Sequence, residues 1–138
     1  MTDTALIPVA AAVLFVSFSV YVVAGDGVRT KNSWLFPAAA SLAFLLFSLH
    51  AIAAEGIFGF WTEHTRNPWG NQIWIDLLSA VGIAWFLVVP RARALGMRPL
   101  PWLVLIACTG SIGFLAMTAR LLYLRDRFEQ PTRGDIHG

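Results

Sequence analysis

Three ionisable side chains stand inside otherwise apolar runs: His50, Asp76 and Arg120. Such groups are costly in hydrocarbon, so they mark function or are paired. Asp76 sits one helical turn into its run, and His50 and Arg120 sit one turn back from the ends of theirs. At about 1.5 Å per residue, each lies roughly 6 Å inside its helix end. An antiparallel arrangement then places all three at one depth. Asp76 is followed on its own helical face by Ser79 and Ala80, and Arg120 shares a stripe with Thr109, Gly113 and Ala116. The expectation is a polar cluster of His50, Asp76, Ser79 and Arg120, in which Asp76 and Arg120 form an ion pair and His50 carries a proton or ligates. A plainer chemistry stays open for each. Arg120 can snorkel along its aliphatic stem, Asp76 can complement a helix dipole, and His50 can donate to a backbone carbonyl.

The stretch "WTEHTRNPWGNQIWID", residues 61–76, leads into the run that holds Asp76. With Glu55, it brings Trp61, Glu63, His64, Arg66 and Trp69 over the same polar layer. Its tryptophans can anchor in headgroups while its charges face the layer or a partner. Asn67-Pro68 and Gly70 supply a turn. Glu55, Glu63 and His64 do not have the spacing of a metal site. No CxxC, HExxH or phosphate-binding glycine loop is present, and no GxSxG elbow. A bis-histidine haem lacks its second histidine within a run, which leaves only His50 as a single ligand. No cofactor is specified, and whether the chain is an enzyme stays open.

The elements that must position these residues follow from composition. The chain has 138 residues, 57% hydrophobic and 13% charged, against a charged share of roughly 25% in soluble domains. Four runs, residues 4–24, 35–54, 73–89 and 103–124, reach or approach the ~20 residues that cross a bilayer core. In lipid every backbone group needs an internal partner, so the runs should be helices. Short links make sequential helices antiparallel. The expected fold is all-α, an integral membrane four-helix up-down bundle, followed by a charged, disordered tail at 125–138. The first run lacks a basic leader and reads as a retained helix rather than a signal peptide. Cys108, the one cysteine, has no partner for an internal disulfide. A net charge of +2 excludes nucleic acid as a partner; the arginines flank the spans, where the lipid bilayer is the nearest partner.

The six tryptophans fall into two belts in this layout. Trp61, Trp69 and Trp74 lie at the face carrying the long loop (face A), and Trp34, Trp85 and Trp102 at the other (face B). Basic residues split evenly: Arg66, Arg120, Arg125, Arg127 and Arg133 at face A; Arg29, Lys31, Arg91, Arg93 and Arg98 at face B. The basic flank of the first helix, Arg29 and Lys31, tips face B toward the cytoplasm and both termini to the non-cytoplasmic side.

Residues 66–127 carry further motifs: Asn67-Pro68, Asp76 with Ser79, Arg91 and Arg93 with Leu95-Gly96, and "LLYLRDR" at 121–127. In these the chain resembles a family of small four-helix bacterial membrane proteins known only as a domain of unknown function. It departs from that pattern at Pro90, where an acid is common, and at "TAR" (residues 118–120), where a proline is expected. The resemblance implies a bacterial inner-membrane location and no particular reaction.

Two functions follow as expectations. The first is a non-enzymatic accessory or assembly subunit that docks on other membrane subunits or on its own copies through small-residue helix faces. The alternative is a membrane-embedded binder or enzyme for an apolar small molecule (lipid, quinone, sterol-like or carotenoid), with its polar pocket at His50, Asp76 and Arg120. A homo-oligomeric transporter ranks last, because Ser17, Ser19, Thr109 and Ser111 are its only polar residues at mid-membrane.

Overall fold

The computed structural model describes residues 3–24 and 32–129, and all regular structure in them is helical. The chain divides into two compact units, Met1–Ser33 and Trp34–Gly138. The first unit holds α1, Asp3–Ala24, in which the Ser19 hydroxyl donates to the Phe15 carbonyl at 2.8 Å. That bond satisfies the hydroxyl inside an apolar helix. The second holds α2 (Leu35–Glu55), α3 (Gly59–Thr65), α4 (Pro68–Ala94), α5 (Pro99–Thr109) and α6 (Ser111–Glu129). Among the described residues three stretches are long and apolar enough to cross a membrane: Leu6–Ala24, Leu35–Glu55 and Pro68–Ala94.

The third of these runs well beyond the apolar run 73–89. With 27 residues, α4 is about 40 Å long. Its start is set by Asn67, whose side chain accepts a hydrogen bond from the Gly70 amide at 2.9 Å, and by Pro68 in the first turn. An Asn cap followed by proline satisfies one orphan amide and removes another. Its end is a Schellman turn. The Gly96 amide donates to Arg93 O at 3.0 Å and the Met97 amide to Ala92 O at 2.9 Å. Gly96 takes φ 75°, which glycine accepts without steric cost. Ala92 and Met97, the residues this turn brings together, are both buried.

The expected fourth span, residues 103–124, is not one helix. It breaks at Gly110 into α5 and α6, and the chain reverses there. Gly110 adopts φ 60°, ψ −127°, a region open essentially to glycine alone. A Cβ on Gly113 would stand 3.0 Å from Ile106 N and Leu105 C. Along an unbroken helix residues 106 and 113 would be about 10 Å apart, so α6 folds back against α5. The turn keeps its backbone bonded: Gly110 N donates to Ile106 O at 2.7 Å and Phe114 N to Gly110 O at 3.3 Å. The Thr109 hydroxyl donates to Leu105 O at 2.7 Å and accepts from Gly113 N at 3.0 Å, which bridges the two helices.

The reversal makes α6 antiparallel to α2. Near the start of α2, Trp34 meets Tyr123 edge to face with ring centroids 5.5 Å apart. Two turns further along α2, the buried Ser41 hydroxyl donates to Ile112 O at 3.0 Å. The core is small: Ala92, Met97, Ile106 and Met117, with Trp85, Trp102, Phe114, Leu121 and Leu124 among the half-buried residues against it. This cluster runs along α4 from Val81 to Ala92 and takes in Trp102 and Ile106 of α5 and Phe114 to Leu124 of α6. Among the described residues three apolar helices are of spanning length, and the expected fourth span is divided between α5 and α6. Of the expected disordered tail, residues 125–129 belong to α6, and residues 130–138 lie outside the described residues, as do Arg29 and Lys31.

Candidate functional site

The reversal at Gly110 takes Arg120 away from the level that antiparallel spans would have given it beside His50 and Asp76. Arg120 is exposed beside Tyr123 and Trp34, at the start of α2. His50 is exposed on the same helix, 16 residues beyond Trp34 and so about 24 Å along it. Asp76 is exposed on α4, 16 residues before the buried Ala92 and again about 24 Å from that end. The expected Asp76–Arg120 ion pair does not form; the ion pairs seen among the described residues are Glu63–Arg66 and Arg125–Asp126. Ser79 stays with Asp76, one turn on and equally exposed.

What the structure does build from residues 55–76 is an aromatic cap at the head of α4. Phe60 and His64 of α3 enclose the Trp74 ring, with His64–Trp74 centroids 4.9 Å apart at 71° and Phe60–Trp74 centroids 6.1 Å apart. Gly70 allows this approach, because a Cβ there would collide with the Glu63 carbonyl oxygen and lie 3.0 Å from that of His64. Trp61 and Trp69 remain exposed, and Glu55 closes α2. Glu63 and Arg66 pair at 3.3 Å, but their side chains are 56% and 68% exposed, so the pair contributes at most about 1 kcal/mol. Among the described residues no group of three His, Cys, Asp or Glu is placed to hold a metal.

The second feature is a concentration of arginine that sequence reasoning missed. Arg91, Arg93 and Arg98 flank Ala92 and Met97 at the close of α4 and the opening of α5, and Arg120, Arg125 and Arg127 stand on α6, whose Leu121 and Leu124 pack against the same core. Arg66, beside the aromatic cap, is the basic residue at the opposite end of the unit. Two of the six converge on one ring, the Arg120 and Arg127 Cζ atoms standing 5.7 and 5.3 Å from the Tyr123 centroid. Guanidinium groups over a phenol ring gain from its quadrupole. Arg125 is half-buried and pairs with Asp126 at 3.6 Å. The signal that would have found this end is "TGS" at 109–111, a helix breaker inside an apolar run.

Fold and site define the described residues as all-helical, with three helices long and apolar enough to cross a membrane, an aromatic cap at one end of the second unit and a basic cluster toward the other. No protein-family model, curated protein or solved structure matches it.

Proposed function

We propose that this is a non-enzymatic accessory or assembly subunit of a larger complex in a bacterial inner membrane. The observation that carries the reading is the exposed stripe of Asp76, Ser79 and Ala80 on α4. On a membrane span, a carboxylate and a hydroxyl beside a small residue form a surface for another helix. Small residues let backbones approach, polar side chains bond across the interface, and an intramembrane acid needs a partner. The four-residue core of the second unit leaves most apolar side chains of α2 and α4 outward, available to lipid and to neighbouring subunits.

In this reading α1, α2 and α4 span the bilayer. The α5–α6 hairpin enters and returns on one side, since the 11 residues of α5 reach only about 16 Å, half of a hydrocarbon core. Its bonded turn suits that depth. The basic end faces the cytoplasm by the positive-inside rule, and the resemblance over residues 66–127 agrees with a bacterial inner membrane. Native mass spectrometry of the protein, released from its own membrane in mild detergent, tests the function. Recovery within a defined larger complex, lost on Asp76→Asn, is expected. Recovery as a monomer carrying a stoichiometric apolar small molecule would overturn it.

A further inference from the structure

We propose that the groove between α2 and α6 is a binding site for an anionic phospholipid, with Arg120 holding the headgroup phosphate. The groove is lined by Trp34, Ala38, Ala119, Arg120 and Tyr123. Its floor is two alanines, Ala119 being buried, and its walls are an indole and a phenol set edge to face. That leaves a shallow, open apolar groove with a guanidinium at its side, matching the two chemistries a phospholipid presents.

Charge on this end of the unit selects the anion. Arg120 makes no ion pair among the described residues and its guanidinium rests over Tyr123, 5.7 Å from the ring centroid. The nearby Asp126 is engaged by Arg125. Arg127, over the same ring at 5.3 Å, supplies a second cation within reach of one headgroup. A guanidinium binds phosphate oxygens in a planar, bidentate fashion. Position selects a lipid over a free anion. Trp34 immediately precedes the spanning helix α2, so the groove opens at the level where indole rings and headgroups meet. The site rests on α2 being a membrane span, and it does not depend on a partner subunit.

The test is native mass spectrometry of the full chain released from nanodiscs of equimolar phosphatidylcholine and phosphatidylglycerol. The wild type should retain phosphatidylglycerol in preference to phosphatidylcholine. Arg120→Gln should lower that preference about fivefold, the factor equivalent to ~1 kcal/mol per basic residue at an anionic surface. Arg66→Gln, at the opposite end, should leave it unchanged. Ala38→Leu, which fills the groove and keeps every charge, should also reduce retention, so the site is tested even if Arg120→Gln fails to fold. Excess inorganic phosphate should not displace the lipid. Equal retention of the two lipids, an Arg120→Gln or Ala38→Leu variant that binds like the wild type, or displacement by inorganic phosphate would each overturn the site. The same spectra report the protein's oligomeric mass, so loss of the lipid site is distinguishable from loss of the subunit reading.

Discussion

Trp34 and Tyr123 meet edge to face, their centroids 5.5 Å apart at 83°, and so tie the start of α2 to the end of α6. With the Ser41–Ile112 hydrogen bond two turns further along α2, the contact sets α6 antiparallel to α2. Aromatic pairs of this geometry contribute about 0.5–1.5 kcal/mol beyond their area burial. Trp34→Leu and Tyr123→Leu should therefore be coupled by roughly 1 kcal/mol in a double-mutant cycle read by denaturant unfolding in detergent. Additive losses would mean that the rings do not touch.

Asp76 and Arg120 should behave in the opposite way. They lie toward opposite ends of the second unit, and residues without shared partners add within about 0.5 kcal/mol. Asp76→Asn and Arg120→Gln, measured singly and together, should give additive changes in unfolding free energy. A double mutant markedly less damaged than the sum would restore the direct pair that their spacing in the sequence suggests.

Glycines 113 and 82 make a matched comparison within helices. A methyl group at Gly113 would press on the backbone of Leu105 and Ile106, whereas one at Gly82 meets nothing within 4 Å. Gly113→Ala should destabilise by about 1–3 kcal/mol, the usual cost of overpacking. Gly82→Ala should be neutral or stabilise by up to about 1 kcal/mol through helix propensity. Thermal unfolding of the two variants in the same detergent reads the difference, and equal melting temperatures would dissolve the α5–α6 contact.

Gly70 controls the aromatic cap. Its replacement by Ala puts a methyl group against the Glu63 and His64 carbonyls and should drive α3 off α4. Limited proteolysis should then cut between residues 56 and 67 at least several-fold faster than in the wild type, since the rate follows the population of the opened state. Unchanged cleavage would place α3 elsewhere.

Much of this fold is legible in the chain because apolar length is a local property. The run at 35–54 became α2 with one added residue, and the first run became α1 with its end unchanged. The Asn67-Pro68 signal was visible, but as a turn; its meaning as the cap and first turn of α4 depends on the Gly70 amide turning back to Asn67. Direction was not legible. Hydropathy counts residues 103–124 as one span whether or not the chain reverses at Gly110, and that single φ of 60° decides which end receives Arg120. The candidate site divides the same way. Asp76 with Ser79, and Glu63 with Arg66, are neighbours by helical spacing and stay together. The Asp76–Arg120 pairing depended on the relation of distant helices, and fails with it.

The most direct test of this architecture is the sidedness of Arg98 and Arg127. In a background of Cys108→Ala, which removes the chain's one thiol, Arg98→Cys and Arg127→Cys should both react with a membrane-impermeant maleimide from the same side of sealed vesicles. With the basic end inward, both should be labelled in inverted vesicles and protected in right-side-out ones. Labelling from opposite sides would make residues 103–124 a continuous span and contradict the helical hairpin.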